Sequence, residues 1–451
     1  MENKNGAPVG SAASLRRSLT LWDLVLYGVI VVQPVAPMSV FGVLSDRSHG
    51  YAVTTILIAM VAMLFTAISY GRMARVYPSA GSAFTYVGQE ISPALGYITG
   101  WGMVMDYLLN PMICIIWCSQ QAHVFAPHVA YWAWAICFAA IFTGLNIQGV
   151  KSSARVNFGL AVAMGVVIAI FFVVAARYIT GHHGGTDFFW HPFYDPATWN
   201  TKAVLGGTSI AVLTYIGFDG ISTLSEEVEN PRRNILLATV LTCLVIGILS
   251  AIQVYAAQLI WPASEAFPNI DTAFVHVAAR AWHPMFIIVG FTLLVANFGS
   301  GMGAQLGAAR LLYGMGRSEA IPKSFFGKVD PKRHVPRNNV LFVGLIALGG
   351  AFIMSYGFGA EMLNFGALIA FMGVNAAAFV HYFVRAEEKK VTHFIPPVTG
   401  FCICLLLWLS LSHTAIIAGV IWMAVGISFG AWKTHGFRKN LINFELPAED
   451  A

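Results

Sequence analysis

Apolar residues run through most of this chain in stretches of about 20 residues, the length of a helix that crosses a lipid bilayer. The first stretch, Leu21 to Leu44, carries a single charged residue, Asp23, and has Gln33-Pro34-Val35-Ala36-Pro37-Met38-Ser39 at its centre. Proline lacks a backbone N–H, so Pro34 and Pro37 are each expected to free a carbonyl, and this run predicts a helix that is broken at membrane depth. A later apolar stretch contains Ile216-Gly217-Phe218-Asp219-Gly220, which predicts a second break. In lipid, a broken helix persists only where protein or a water-lined cavity satisfies the freed backbone groups.

Apolar segments near the spanning length occur twelve times along the chain. They lie at residues 20–44, 51–76, 94–122, 129–147, 155–180, 203–225, 235–261, 284–310, 338–356, 361–384, 394–412 and 414–432. Composition agrees with this pattern, because only 10% of the residues are charged, against about 25% in soluble domains. The sequence therefore predicts an all-α polytopic membrane protein with twelve transmembrane helices.

The basic residues predict how these helices are oriented. If the N-terminus is cytoplasmic, all but four of the 26 lysines and arginines fall on the cytoplasmic side, and the exceptions are Arg47, Arg177, Lys202 and Arg280. Basic residues concentrate in cytoplasmic loops, and an odd number of spans would scramble the split. Both termini are thus predicted to be cytoplasmic. The net charge of +5 reflects these loops, and no nucleic-acid partner is expected.

The spans also predict how the chain is organised. Residues 1–18 form a cytoplasmic tail, residues 19–433 form the transmembrane domain, and residues 434–451 form a second cytoplasmic tail. Within the domain, residues 19–180 and 201–384 each hold five spans and each open on a broken helix, while residues 394–432 add two helices. This arrangement predicts a five-plus-five inverted repeat in which helices 1 and 6 are discontinuous, typical of secondary transporters.

Several motifs then resemble those of the amino acid-polyamine-organocation superfamily. They are Phe65-Thr66-Ala67-Ile68-Ser69-Tyr70-Gly71, Tyr77-Pro78-Ser79-Ala80-Gly81-Ser82, Gly217-Phe218-Asp219, Arg310-Leu311-Leu312-Tyr313-Gly314 and Leu363-Asn364-Phe365-Gly366. Over residues 18–440 the chain is most similar to the bacterial putrescine importers of that superfamily. The resemblance implies the LeuT-type fold, twelve helices, a bacterial inner-membrane location and proton-coupled uptake through the two broken helices.

Three acidic residues lie within the spans. Asp23 stands at the start of the first helix, where Thr20 can cap and a carboxylate favours the helix N-terminus, so it is interpreted as structural. Asp106 lies mid-span, where a carboxylate costs about 2.5–3.5 kcal/mol, and it either binds a cation or proton or is a hydrogen-bonded structural acid. Asp219 sits at the second break. In related polyamine and arginine transporters the equivalent acid is associated with substrate or proton handling, which favours the functional interpretation for Asp219.

The two breaks and these two acids define a predicted binding site. Its substrate-binding residues are Gln33, Ala36, Met38, Ser39, Asp106, Tyr107, Tyr215, Gly217, Phe218 and Asp219, and Asp106 and Asp219 are the candidates for proton coupling. Two acids can hold the two ammonium ends of a diamine, whereas prolines in the first break offer no amides to an amino-acid carboxylate. Tyr215 or Phe218 is a candidate aromatic lid, although packing is the commoner role of an aromatic in a membrane helix.

The predicted function is secondary active import of a small organic cation, putrescine or a related polyamine, by proton symport and alternating access. The alternative is a proton-coupled permease for cationic or neutral amino acids, or an amine/amino acid exchanger. The expected partners are the small-molecule substrate, the proton and membrane lipid in the cell membrane. No catalytic residue, cofactor or metal is expected, because the chain carries no catalytic or metal-binding motif of convincing spacing.

Overall fold

The computed structural model describes residues 19–77, 82–149, 154–182, 187–224, 228–317, 321–333 and 335–437. The predicted N-terminal tail and all but four residues of the predicted C-terminal tail lie outside these ranges. So do Ser225, Glu226 and Glu227, which follow the second broken helix.

The first half of the described chain consists of helices joined by short connections. They are α1 (Leu21–Val32), α2 (Ala36–Arg47), α3 (Ala52–Val76), α4 (Ser82–Glu90), α5 (Pro93–Phe125), α6 (Tyr131–Gln148), α7 (Ala154–His182) and α8 (Asp187–Trp190).

The second half opens with α9 (Thr201–Ala211), which continues into two 3₁₀ segments, Val212–Tyr215 and Phe218–Leu224. The helices that follow are α10 (Pro231–Ile260), α11 (Ala273–Ala281), α12 (Met285–Arg317), α13 (Lys323–Phe326), α14 (Arg337–Ile353), α15 (Tyr356–Phe379), α16 (Val391–Leu409) and α17 (His413–Lys433). A π-helical turn, Val380–Val384, extends α15.

All twelve predicted segments coincide with helical structure. Within the described ranges, nine helical segments are long and apolar enough to cross a membrane, and the bent pair α1–α2 makes a tenth. The other two predicted spans correspond to α6 and to α14, a shorter apolar helix of 17 residues. The chain is therefore a multi-pass, all-helical membrane protein. Four short helices lie between the predicted spans in the described ranges, α4, α8, α11 and α13.

Local capping explains where several helices begin. The Thr20 hydroxyl accepts from the Asp23 amide, and the Asp23 carboxylate accepts from the Thr20 amide at 2.9 Å. This capping box confirms the structural interpretation of Asp23. Pro231 is the first residue of α10, where a missing N–H costs no hydrogen bond. Asn230 precedes it with φ 51° and makes no side-chain cap.

Long helices surround the two breaks. α10 packs extensively against α3, and α5 packs against both α12 and α15. α1 lies against α10 and against the 3₁₀ segment that follows the second break. The broken segments pack against α3, α10 and α15, while α16 packs against α15 and α3 and α17 packs against α15 and α5.

Charged contacts tie helices together at both ends of the bundle. Arg47 at the end of α2 pairs with Glu361 of α15 at 3.0 Å, and Ser412 before α17 donates to the same carboxylate. At the opposite end of α15, Arg385 donates to Glu90 of α4 at 2.9 Å. The breaks lie between these two layers of contacts.

Candidate substrate site at two broken helices

Pro34 produces the first break. α1 ends at Val32 and α2 begins at Ala36, and the two axes differ by 48°. Pro34 has no N–H to return to the carbonyl of Ile30, and Gln33 adopts φ 66°, outside the helical region. Pro37 was expected to free a second carbonyl. It is instead the second residue of α2, a position where a helix does not use the N–H, so it starts the second half-helix and removes no hydrogen bond.

The broken segment is held by polar side chains from two other helices. Gln33 Nε2 donates to the Ala296 carbonyl of α12 at 2.9 Å, and Asn297 Nδ2 donates to the Ser39 hydroxyl at 2.9 Å. From α10, Gln253 Nε2 donates to the Pro34 carbonyl at 3.0 Å. In the first turn of α2 the Met38 amide donates to the Val35 carbonyl and not to the Pro34 carbonyl. The Pro34 carbonyl is therefore available to accept from Gln253. Sequence reasoning did not predict Asn297 or Gln253 as part of the site. The only feature of the sequence that could have indicated them is an amide side chain within an apolar span.

The second break follows the predicted glycine. Ile216 is extended with ψ 130°, and Gly217 has φ 114°, which a residue with a side chain rarely adopts. A Cβ on Gly217 would lie 3.1 Å from Cγ1 of Val31, so the second break touches the end of α1. On the α9 side, the fully buried Asn364 of α15 donates to the Ser209 carbonyl at 2.8 Å. The two breaks therefore meet in the bundle.

Asp106 and Asp219 come together beside this meeting point. Their carboxylates are close enough to interact electrostatically, although α5 brings one and the 3₁₀ segment after Gly217 brings the other. Backbone amides of Gly217, Asp219 and Gly220 lie within hydrogen-bonding range of the Asp219 carboxylate. Neither acid forms an ion pair with a lysine or arginine of the described ranges. The pair thus brings two titratable acids together without a basic partner in the described ranges.

Tyrosines and aromatic rings border the two acids. Tyr107 lies near both carboxylates and near Tyr27, and its ring faces Gly307 of α12, where a Cβ would come within 3.3 Å. Phe218 is fully buried, with its ring centroid 5.5 Å from Tyr70 and 5.5 Å from Phe371. Phe218 therefore packs behind Asp219 in an aromatic cluster.

The remaining predicted site residues have different surroundings. Tyr215 is 1% exposed and its hydroxyl donates to the Ile56 carbonyl of α3 at 2.9 Å, so it fills the packing role that the sequence left open. Met38 is buried, and Ala36 at the start of α2 is partly exposed. The structure thus brings Asp106, Tyr107, Gly217 and Asp219 together, and it directs Tyr215 away towards α3.

A separate cavity of about 520 Å³ opens at the far end of α2 from the break. Its lining is mainly the connection between α10 and α11, together with the ends of α2 and α15: Val43, Asp46, Phe267, Pro268, Asn269, Ile270, Asp271, Ser355 and Gly357. Burial raises the pKa of Asp271 to about 6. None of these residues belongs to the predicted binding site.

Comparisons with known proteins agree with this architecture. Residues 38–444 match the family model described as amino acid permease. The low-affinity putrescine importer PlaP of Escherichia coli (strain K12) is 35% identical, over 98% of this chain and 99% of that protein. The methylthioribose transporter of Bacillus subtilis (strain 168) is 26% identical over 92% of each chain. The branched-chain amino acid permease BcaP of the same organism is 24% identical over 93% of this chain and 94% of its own.

These matches confirm the predicted resemblance and the prediction that the protein is a transporter of small molecules rather than an enzyme. The match to PlaP covers 98% of the chain, and the family model, which begins at residue 38, includes the second break, Asp106 and Asp219. The chain belongs to the amino acid permease family of the amino acid-polyamine-organocation superfamily.

Proposed function

We propose that this protein imports a small organic cation, putrescine or a related polyamine, by proton symport and alternating access. The observation that carries this proposal is the electrostatic interaction between Asp106 and Asp219, two acids without a basic partner in the described ranges, beside the meeting point of two broken helices. A buried pair of negative charges is costly in a membrane protein unless a cation or protons neutralise it. The similarity to a putrescine importer supports the same substrate class.

The proposed architecture is the LeuT-type fold with twelve helices, a five-plus-five inverted repeat and both termini cytoplasmic, in a bacterial inner membrane. Support comes from helices at all twelve predicted positions and from breaks in the first and sixth of them. In this arrangement the repeats rock around a site at the breaks, so the substrate is reached from one side at a time.

The chemistry around the breaks favours an amine over an amino acid. The first break offers carbonyl oxygens and a proline, which has no N–H donor. In the second break the amides near Gly217 already lie beside the Asp219 carboxylate, so a substrate carboxylate would compete with a fixed negative charge. Two ammonium groups, in contrast, suit two carboxylates, because charge-assisted hydrogen bonds are the stronger kind.

Proton coupling follows from the same acids. A carboxylate that is neutral in the empty site can release its proton when an ammonium group arrives and take it back when the substrate leaves. The segment Leu160-Ala161-Val162-Ala163-Met164-Gly165 in α7 carries no ionisable residue. Asp106, Asp219 or both therefore carry the coupled proton.

A second candidate is a permease for cationic or neutral amino acids, or an amine/amino acid exchanger. It is favoured by the likeness to the branched-chain amino acid permease and by 26% identity to the vacuolar cationic amino acid transporter 2 of Arabidopsis thaliana over 87% of this chain and 63% of that protein. The two candidates differ in whether the substrate must carry a carboxylate.

Uptake by the purified protein in liposomes distinguishes them. Radiolabelled putrescine should accumulate when an inward proton gradient is imposed, and unlabelled putrescine and spermidine should compete while leucine should not. Uptake should survive the replacement of sodium by choline and collapse when a protonophore is added. Accumulation of amino acids alone would support the second candidate, and strict dependence on sodium would overturn proton symport.

A further inference from the structure

Gln253 presents an unused hydrogen-bond acceptor at the first break. Its side chain is fully buried in α10, and its Nε2 donates to the carbonyl of Pro34 at 3.0 Å and to that of Leu249 at 3.2 Å. Two carbonyl oxygens can face only the NH₂ end of an amide, so these contacts fix which end carries the oxygen. That oxygen, Oε1, is buried and has no hydrogen-bond partner among the described residues.

The position of Oε1 follows from the contact with Pro34. The two polar atoms of a primary amide are about 2.3 Å apart, so Oε1 lies no more than about 5 Å from the Pro34 carbonyl oxygen. It is therefore an acceptor beside the segment where α1 is broken. Buried polar atoms in native proteins are usually paired. The amide oxygens of Asn339, Asn364 and Asn375 also lack a partner among the described residues, so it is the place of Oε1 beside the first break that points to a donor bound there.

Gln258 shows that the helix can satisfy a buried glutamine fully. It lies five residues further along α10, is 8% exposed, and its Oε1 accepts from the Val53 amide at 2.8 Å while its Nε2 donates to the Gly50 carbonyl. Both polar atoms of the Gln258 amide therefore form hydrogen bonds, one to α3 and one to the loop before it. In Gln253, by contrast, Nε2 is hydrogen-bonded to the protein and Oε1 has no partner among the described residues.

We propose that Gln253 Oε1 accepts a hydrogen bond from a primary ammonium group of the substrate, which makes Gln253 a specificity-determining residue. The inference rests on the proposed transport of organic cations and adds a choice among them. Asp106 and Asp219 supply negative charge, which attracts every small cation. A neutral acceptor adds discrimination, because a primary ammonium has three N–H donors and a trimethylammonium group has none.

Binding of two dications to the purified full-length protein tests this assignment. The ligands are putrescine and its analogue with a trimethylammonium group at each end, and the variants are Gln253→Met, Gln253→Glu and, as the matched control, Gln258→Met. Gln253→Met removes both ends of the amide, whereas Gln253→Glu keeps an acceptor and loses the donor to Pro34. The dissociation constants are measured alongside the melting temperature of each variant.

The wild type is expected to bind putrescine at least tenfold more tightly than the analogue. Gln253→Met should weaken putrescine at least tenfold and leave the analogue nearly unchanged, so that the preference disappears, while Gln253→Glu retains putrescine. Gln258→Met should melt earlier and keep the preference.

Other outcomes separate the possible failures. Equal weakening of putrescine by Gln253→Met and Gln253→Glu would show that only the bond to Pro34 matters and would overturn the inference. If the wild type binds putrescine and the analogue equally tightly, the inference is overturned. This result needs no variant, so it is decisive even if the Gln253 variants do not fold. A wild type that binds neither dication would instead overturn the proposed function.

Discussion

Glu90 accepts a hydrogen bond from Nδ1 of His381 at 2.6 Å, and this contact joins α4 to the π-helical turn that extends α15. The same carboxylate accepts from the Tyr77 hydroxyl at 2.7 Å and from Arg385 at 2.9 Å, and it is only 1% exposed. Turns of π-helix are rare, and those that occur are frequently found at functional sites. Here the turn places His381 and Arg385 on one buried acid, so one end of the bundle depends on that acid.

Glu90→Gln should therefore lower the stability of the purified protein. The amide can accept from one or two of the three donors but provides no negative charge for Arg385, and hydrogen bonds to charged groups contribute about 1.5–3 kcal/mol each. We expect a clear fall in the melting temperature. Glu388→Gln is the matched control, because Glu388 pairs with Lys390 on the surface with 79% of its side chain exposed and should change little. Equal melting of Glu90→Gln and the wild type would show that the buried network is not stabilising.

Asp271 should make stability depend on pH. Burial raises its pKa from 3.8 to about 6 in the folded protein, so the charged form is disfavoured there relative to the unfolded chain. The groups that face it are Asp46 across the cavity and the hydroxyls of Tyr131 and Tyr356. The destabilisation is fully present above pH 6 and fades as the pH falls from 6 towards 4, because Asp271 is then protonated when folded. At about 1.4 kcal/mol per pKa unit, it amounts to about 3 kcal/mol.

Asp271→Asn removes this destabilisation. The variant should melt at a higher temperature than the wild type at pH 8, and the difference should shrink by about half at pH 5. The melting temperatures of both proteins, measured in the same detergent at the two pH values, give this difference. Asp46→Asn, at an exposed position in the same cavity, is the comparison variant, and it should not reproduce the pH-dependent gain. A gain for Asp271→Asn that is larger at pH 5 than at pH 8 would contradict the buried, uncompensated carboxylate.

The two prolines of the first break should behave differently on replacement. Pro34→Ala restores an N–H that can bond the Ile30 carbonyl and draw the freed backbone back into a continuous helix, so uptake or affinity for the substrate should fall. Pro37→Ala alters a position in the first turn of α2, where the N–H is not needed, and transport should stay near the wild-type level. Uptake per molecule in liposomes, corrected for the amount of inserted protein, separates them. Equal loss in both variants would argue that the prolines act by packing.

Sequence was sufficient for features that depend on a local rule. Proline without an N–H and glycine with free φ located both breaks, and apolar length located the twelve helical segments. The same local rule wrongly placed Pro37 in the break, because hydropathy does not show that α2 begins at Ala36. Short helices such as α4 and α11 escaped prediction since neither is long enough to produce a spanning apolar run.

The anchors of the site could not be predicted in the same way. Gln253 and Pro34 are 219 residues apart, and Asn364 reaches Ser209 across 155 residues. An amide within an apolar span signals a buried partner but not its identity, which only the packing of distant helices decides. Tyr215 illustrates the reverse case: proximity to the second break suggested a substrate contact, whereas packing of α3 beside it provides Ile56 as its partner.

The acid pair provides the most direct test of substrate charge. Asp106→Asn and Asp219→Asn each replace a carboxylate by an amide of nearly the same shape, so the packing is retained while one negative charge is lost. Each change should weaken putrescine binding by about 1.5–3 kcal/mol, the contribution of a hydrogen bond to a charged group. If each acid holds one end of the diamine, a monoamine such as butylamine should be sensitive to only one of the two substitutions.

Asp23→Asn is the matched control for this measurement. Asp23 also lies within a predicted span, but its carboxylate is engaged by Thr20 at the start of α1, so its replacement should affect the helix cap and leave putrescine affinity unchanged. Titration of purified protein by calorimetry gives the dissociation constants, and melting in detergent reports whether each variant is folded. If folded Asp106→Asn and Asp219→Asn both bind putrescine as tightly as the wild type, the acids do not recognise the diamine, and the amino-acid alternative gains support.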